Sequence, residues 1–167
     1  ADPAVRCIVI TGNGPSFCAG ADLKNQGKTG DGPTFVDVLQ LIISSPKPVI
    51  AAVNGAAFAG GLGLVGACDI VISAEDAQFS FSEVRIGVIP AVISVVCVPK
   101  LGKHLATKLF ITGERFSGVQ AVDFGLVHRA VAKDKLRAAV QEEIDMISLG
   151  APHAVAESKK LVGVAAQ

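Results

Sequence analysis

The stretch Lys47–Ser73, KPVIAAVNGAAFAGGLGLVGACDIVIS, decides how this chain is read. It holds an apolar β-branched run, Val49–Val53, that reads as a buried strand ending at Asn54-Gly55. The small apolar segment Gly60–Ala67 follows, too short of polar residues for a surface helix and therefore placed as a buried one. Within it, Gly61–Gly66 matches G-x-G-x-x-G, and Glu83 lies about where a dinucleotide fingerprint sets its ribose-binding acid. A dinucleotide turn runs directly off the end of its strand. Here NGAAFAG intervenes between Val53 and Gly61, and Glu83 follows two short strands rather than closing a βαβ crossover. The NAD reading is set aside. Glycines in a buried helix cost roughly 1 kcal/mol each relative to alanine, so either close backbone packing or a bare N–H facing a ligand must offset them.

Working outward, Val5–Gly12 reads as a buried strand, PSFCAGADL as a small-residue loop turning helical, and residues 24–34 as a polar glycine-rich loop. Phe35–Ser45 has a helical apolar face and stops at Pro46 and Pro48. Residues 69–81 read as two short strands around a turn at Glu75 and Asp76. Helix is expected from Pro90 to Gly113 with a break at PKLG. Ser117 and Gln120 have capping-box spacing before a short helix. Leu136, Val140, Ile144 and Ile147 share one face of a helix that Gly150 ends, with Glu142, Glu143 and Asp145 on its solvated side, and Pro152 suits the first turn of a last helix.

The chain has 167 residues, half of them hydrophobic, with no Trp or Tyr. That is enough for one α/β domain with its own core, taken as residues 1–167. Fifteen basic and fifteen acidic side chains balance, which argues against nucleic-acid or membrane partners. Cys7, Cys18, Cys68 and Cys97 form no C-x-x-C and have no histidine at metal spacing, so reduced thiols, a cytoplasmic address and no metal site are expected.

Three segments together resemble the crotonase family, the enoyl-CoA hydratase/isomerase superfamily: VITGNGPSFCAGADL (9–23), the opening stretch (47–73) and AQFSFSEVRIGVIPA (77–91), followed by ITGERFSG (111–118). The resemblance implies a spiral of ββα units whose outer helices pack into a homotrimer or dimer of trimers. It implies further family structure before Ala1 and after Gln167. It also implies an acyl-CoA thioester substrate and no cofactor beyond the coenzyme A of that substrate. By resemblance, the backbone N–H groups of Ala21 and Gly60 form an oxyanion hole for the thioester oxygen, with Gly61 keeping the approach free of side chains. Ala19, Asp22 and Leu23 would hold the adenine. Lys24 faces the phosphates or is an ordinary solvated lysine.

Glu83 matches the glutamate that delivers a proton to Cα. The other glutamate of two-carboxylate hydratases falls at Gly63. Hydration through Glu83 alone, double-bond isomerisation, thioester hydrolysis and non-catalytic acyl-CoA binding all stay open. Pro90–Ser94, PAVIS, stands where many relatives have PGAGG; Pro90 is placed at the acyl pocket, and Ser94 either offers a hydroxyl or caps a helix. His104, His128 and His153 read as surface or structural, Asp69 as structural, and Ser80 and Ser82 lack a nucleophile's setting.

Overall fold

The apolar runs at Ile8–Thr11, Val49–Val53 and Ile70–Ala74 are each followed after a few residues by a second, shorter extended segment, and the two join different sheets. In the computed structural model, which describes Asp2 and residues 4–20 and 32–165, the first sheet contains β1 (Ile8–Thr11), β3 (Val49–Val53), β5 (Ile70–Ala74) and β8 (Arg129–Val131), in that order and all parallel. The second contains β2 (Ser16–Cys18), β4 (Ala56–Phe58), β6 (Gln78–Ser80) and β7 (Arg115–Ser117); only β7 runs antiparallel to its neighbour. Helices follow the strand pairs: α1 (Phe35–Ser44), α2 (Gly60–Ala67) and α3 (Ala91–Thr112), then α4 (Gly118–Asp123), α5 (Leu136–Leu149) and α6 (Pro152–Ala165). Up to α3 the chain therefore advances by three ββα turns, each adding one strand to each sheet, and α4 then separates β7 from β8.

The expected helices form, α4 on the cap its sequence announces and α1 on one the sequence reading did not name. Thr34 caps α1 by accepting from the Asp37 N–H, and Asp37 returns the bond to the Thr34 N–H. Ser117 and Gln120 make the same reciprocal pair at α4. The break in α3 falls at Gly102, whose φ of 71° no helix contains. Leu136 and Val140 of α5 are buried, and Ile144 and Ile147 pack beside them under the first sheet with Ile50 and Ile72. The larger core holds α2, α3 and the second sheet around stacked Phe79 and Phe116 and their neighbour Phe81, all fully enclosed. Each such ring contributes about 2 kcal/mol or more of burial.

Two expectations need correction. The first strand is not buried: β1 is the sheet's edge, and Ile8 and Val9 are about 40% exposed. PSFCAGADL is not a simple loop either, since Ser16–Cys18 pairs with β4 as strand β2.

Candidate active site

The parallel arrangement of β2, β4 and β6 sets their carboxyl ends along one edge, where ligands of parallel sheets commonly bind. Cys18 pairs with Ala57, and Phe58 pairs with Ser80. Just beyond these ends come Ala19 and Gly20, then Ala59 and Gly60, then Phe81, Ser82 and Glu83. Three segments far apart in sequence meet there. A Cβ built on Gly20 would lie 3.2 Å from the Ala59 Cβ and 3.9 Å from the Gly60 nitrogen. Gly20 itself has φ of 101°, which favours glycine. Ala19 is exposed. Ala21, Asp22, Leu23 and Lys24 lie outside the described residues.

Gly60 opens α2, so its N–H belongs to the first turn, whose amides have no partner inside the helix. The residue before it is strained: Ala59 has φ of 47° and ψ of −119°, an arrangement costing of order 1–3 kcal/mol in a non-glycine residue. Two backbone bonds hold it there. The Ala59 N–H donates to the Ser80 carbonyl at 3.0 Å, and its own carbonyl accepts from the Leu62 N–H at 2.9 Å. Strain at this one junction turns β4 abruptly into α2 and fixes where the Gly60 amide stands.

The remaining glycines of α2 do something different. A Cβ on Gly61 would lie 2.3 Å from the Cys18 carbonyl oxygen, one on Gly63 2.6 Å from the Ile93 Cγ2, and one on Gly66 2.9 Å from the Cys97 Sγ. These three let α2 sit against β2 on one side and α3 on the other. At Gly60 the corresponding closest atom is the Phe35 Cζ at 3.6 Å, an ordinary contact. The position matched to a second glutamate therefore faces an apolar wall made by Ile93 of α3 and Phe35 of α1, whose Cζ is 3.0 Å from the same built atom.

Glu83 sits in a 3₁₀ turn, Ser82–Ile86, closed by the Gly87 and Val88 amides, which donate to the Val84 and Glu83 carbonyls. Its side chain is half-buried, and its Oε2 is enclosed with no hydrogen-bond partner among the described residues. Desolvation raises its pKa above the ordinary carboxylate value, against a smaller lowering by a bond from its own backbone N–H. A half-buried carboxyl with an unused oxygen and a raised pKa suits a group that takes and gives a proton. Around it, Ile86, Val88, Ile89 and Val92 are exposed, giving the approach to Glu83 an apolar surface.

Pro90 is the residue before α3 and makes no side-chain cap. Ser94 does not cap that helix: its hydroxyl donates to the Ala91 carbonyl at 2.7 Å instead. Asp69 is structural as expected, accepting from the Val49 N–H and the Lys159 ammonium, both at 2.7 Å. His128 accepts from the Val71 N–H through Nδ1 at 3.0 Å. All four cysteines are free, and burial pushes the Cys68 and Cys97 thiols up to about 12, so both stay protonated. Among the described residues no group of three His, Cys, Asp or Glu side chains could hold a metal ion. The contacts of Phe35 and Arg85 escaped the sequence reading, because a contact made across tens of residues leaves no local spacing to read.

The profile of the family described as enoyl-CoA hydratase/isomerase matches residues 1–166. The chain is 37% identical over 167 residues to the carnitinyl-CoA dehydratase of Salmonella typhi, covering 96% of this chain and 64% of that protein. It superposes on an enoyl-CoA hydratase from Shewanella pealeana with a TM-score of 0.89 and 33% identity, covering 99% of this chain and 65% of that one. An enoyl-CoA hydratase from Mycobacterium avium gives 0.88 and 39%, again with 99% and 65% coverage. The chain thus spans about two thirds of the length of the relatives it matches. With the spiral of ββα turns and this breadth of agreement, the chain belongs to the enoyl-CoA hydratase/isomerase family and has the crotonase fold.

Proposed function

We propose that this protein is an enoyl-CoA hydratase that adds water across the 2,3 double bond of an enoyl-CoA thioester with a single carboxylate. The observation that supports this best is the half-buried carboxyl of Glu83, whose Oε2 has no hydrogen-bond partner among the described residues, placed beyond the same sheet edge as the first amide of α2. In this reading the N–H of Gly60, together with that of Ala21, stabilises the negative charge that grows on the thioester oxygen. Glu83 takes a proton from water as the oxygen attacks C3, then returns it to C2 on the same face. Losing one such donor costs about a hundred- to a thousandfold in rate. The four-atom path needs no resident cofactor, because the coenzyme A of the substrate supplies the thioester. The Salmonella relative is named a carnitinyl-CoA dehydratase, and dehydration is hydration in the reverse direction.

A second reading has its own support. Ile93 and Phe35 fill the space beside Gly63, so among the described residues that side of the helix presents an apolar wall. A lone base beside an apolar wall also suits a double-bond isomerase, in which Glu83 carries a proton from one carbon to another. The homotrimer or dimer of trimers and the cytoplasmic setting belong to the same proposal: α6 has no buried residue, with Leu161, Val162 and Val164 exposed, and the free thiols suit a reducing compartment.

The deciding experiment mixes the protein with crotonyl-CoA, follows the enoyl-thioester absorbance and weighs the product. A gain of one water that Glu83→Gln abolishes supports hydration. Loss of hydration with 2-enoyl thioesters, alongside conversion of 3-enoyl thioesters without a mass change, transfers the assignment to isomerisation. A Glu83→Gln enzyme that turns over normally refutes both.

A further inference from the structure

The turn that carries Glu83 is tied to the end of α3 by a single carbonyl. Gly113 follows the last residue of α3 with φ of 56°, and its N–H donates to the Leu109 carbonyl. Its own carbonyl oxygen accepts three hydrogen bonds: the Ser80 hydroxyl at 2.9 Å, the Arg85 Nε at 3.2 Å and the Arg85 Nη2 at 3.0 Å. Ser80 is buried at the end of β6, three residues before Glu83, and Arg85 stands two residues after it. The donors therefore bracket Glu83 on both sides. The negative end of a helix is where a guanidinium is best placed, and Arg85 meets it with two N–H groups at once.

The packing leaves little freedom. A Cβ on Gly113 would lie 3.0 Å from the Val84 Cγ1, 3.2 Å from the Arg85 Nε and 3.2 Å from the Phe81 carbonyl oxygen. The three residues so approached all flank Glu83 within two positions. The turn is closed by the Gly87 and Val88 amide bonds, at 3.3 and 3.2 Å, and none of its residues is fully buried. A short exposed 3₁₀ turn is a poor rigid support for a proton-transfer group.

We propose that Arg85 is a positioning residue: with Ser80 it grips the Gly113 carbonyl and locks the 3₁₀ turn so that the Glu83 carboxyl is held at the reacting carbons. Arg85 touches no substrate in this role and acts through Glu83. The proposal rests on the assignment of Glu83 as acid/base, but the clamp has a physical readout independent of turnover.

The test compares Arg85→Met, which keeps the stem and removes the donors, with Arg85→Lys and with the unaltered protein. In Arg85→Met the Gly87 and Val88 amides should exchange with solvent about tenfold or more faster, while Phe79 of β6 is unaffected. The kcat should fall about ten- to a hundredfold with little change in KM, the signature of a misplaced reacting group rather than lost binding. Arg85→Lys, with one point donor, should recover part of both. Should Arg85→Met fail to fold, Ser80→Ala removes one donor of the three and should show the same changes in smaller measure. Unchanged exchange at Gly87 and Val88 in a folded variant, or an undiminished kcat, overturns the clamp. Absence of turnover in the unaltered protein counts against the hydration reading alone, and the exchange comparison still decides the role of Arg85.

Discussion

Gly63→Ala is the substitution that tests most directly why this site has one carboxylate. Two effects oppose each other. Alanine is favoured over glycine inside a helix by about 1 kcal/mol. The added Cβ, however, would lie 2.6 Å from the Ile93 Cγ2 and 3.0 Å from the Phe35 Cζ. Ile93 is only 3% exposed and has nowhere to retreat, whereas Phe35 borders solvent and can tilt away. Overpacking of this kind costs roughly 1–3 kcal/mol, so the net expectation is a loss of about 1 kcal/mol. The identity of the obstructing atom sharpens the test. Ile93→Leu removes the Cγ2 branch at nearly constant volume and should restore the stability of Gly63→Ala. Ile93→Val keeps Cγ2 and should not. Urea unfolding of the three singles and both doubles, at one protein concentration, gives the coupling energy, expected at about 1–2 kcal/mol for leucine and near zero for valine. If Gly63→Ala instead gains the full helix propensity, or if valine rescues as well as leucine, the steric account is wrong. If the account holds, a glutamate at position 63 cannot be accommodated by one substitution, because Ile93 and Phe35 occupy the space its side chain would need.

Glu83→Gln should raise stability even as it removes activity. Burial raises the folded carboxyl pKa, so the ionised side chain destabilises the fold above that value. The penalty is absent below the unfolded pKa and grows as pH rises through the folded one. Thermal unfolding should therefore show the variant more stable than the unaltered protein at pH 7, with the difference closing by about pH 4; a constant difference across that range would count against a buried carboxylate. Ala59→Gly should relieve the backbone at φ of 47° and raise stability by up to about 1 kcal/mol, net of the extra freedom glycine gives the unfolded chain. A loss of the size seen for alanine to glycine in ordinary backbone would show that the junction before Gly60 carries no strain.

What the sequence made legible divides by range. Helices with a period, a cap or a stop could be placed from their own residues: Thr34 and Pro46 bound α1, Ser117 and Gln120 open α4, and Gly150 and Pro152 separate α5 from α6. The three-residue strands β2, β4, β7 and β8 could not, since SFC, AAF, RFS and RAV carry no alternation long enough to count. The partition into two sheets was hidden as well. Residues 69–81 do form two strands around Glu75 and Asp76, but β5 and β6 never pair; the turn is a corner at which the chain passes from one sheet to the other. Gly60 and Glu83 were reached through the family resemblance, and their convergence depends on β2, β4 and β6 being parallel neighbours, which no local pattern states.

The glycines of α2 show why a motif read by residue type alone misleads. The G-x-G-x-x-G spacing arises because one buried helix meets three obstacles at successive points around its axis: the Cys18 carbonyl at Gly61, Ile93 at Gly63 and Cys97 at Gly66. Each forbids a Cβ for a reason of packing, and each obstacle belongs to a different part of the chain from the helix itself. The expectation that a costly run of glycines exists to bare an amide to a ligand fits only Gly60, and Gly60 is the one glycine of the four whose Cβ would find ordinary contact distance. The amide proposed for the thioester oxygen is supplied by backbone, which any residue but proline carries. What makes it available is its place as the first residue of a helix, after a strained alanine, at the end of a parallel strand. The steric need for glycine and the chemical need for an N–H thus fall on adjacent positions of one helix. They become separable only when each missing Cβ is set against its surroundings.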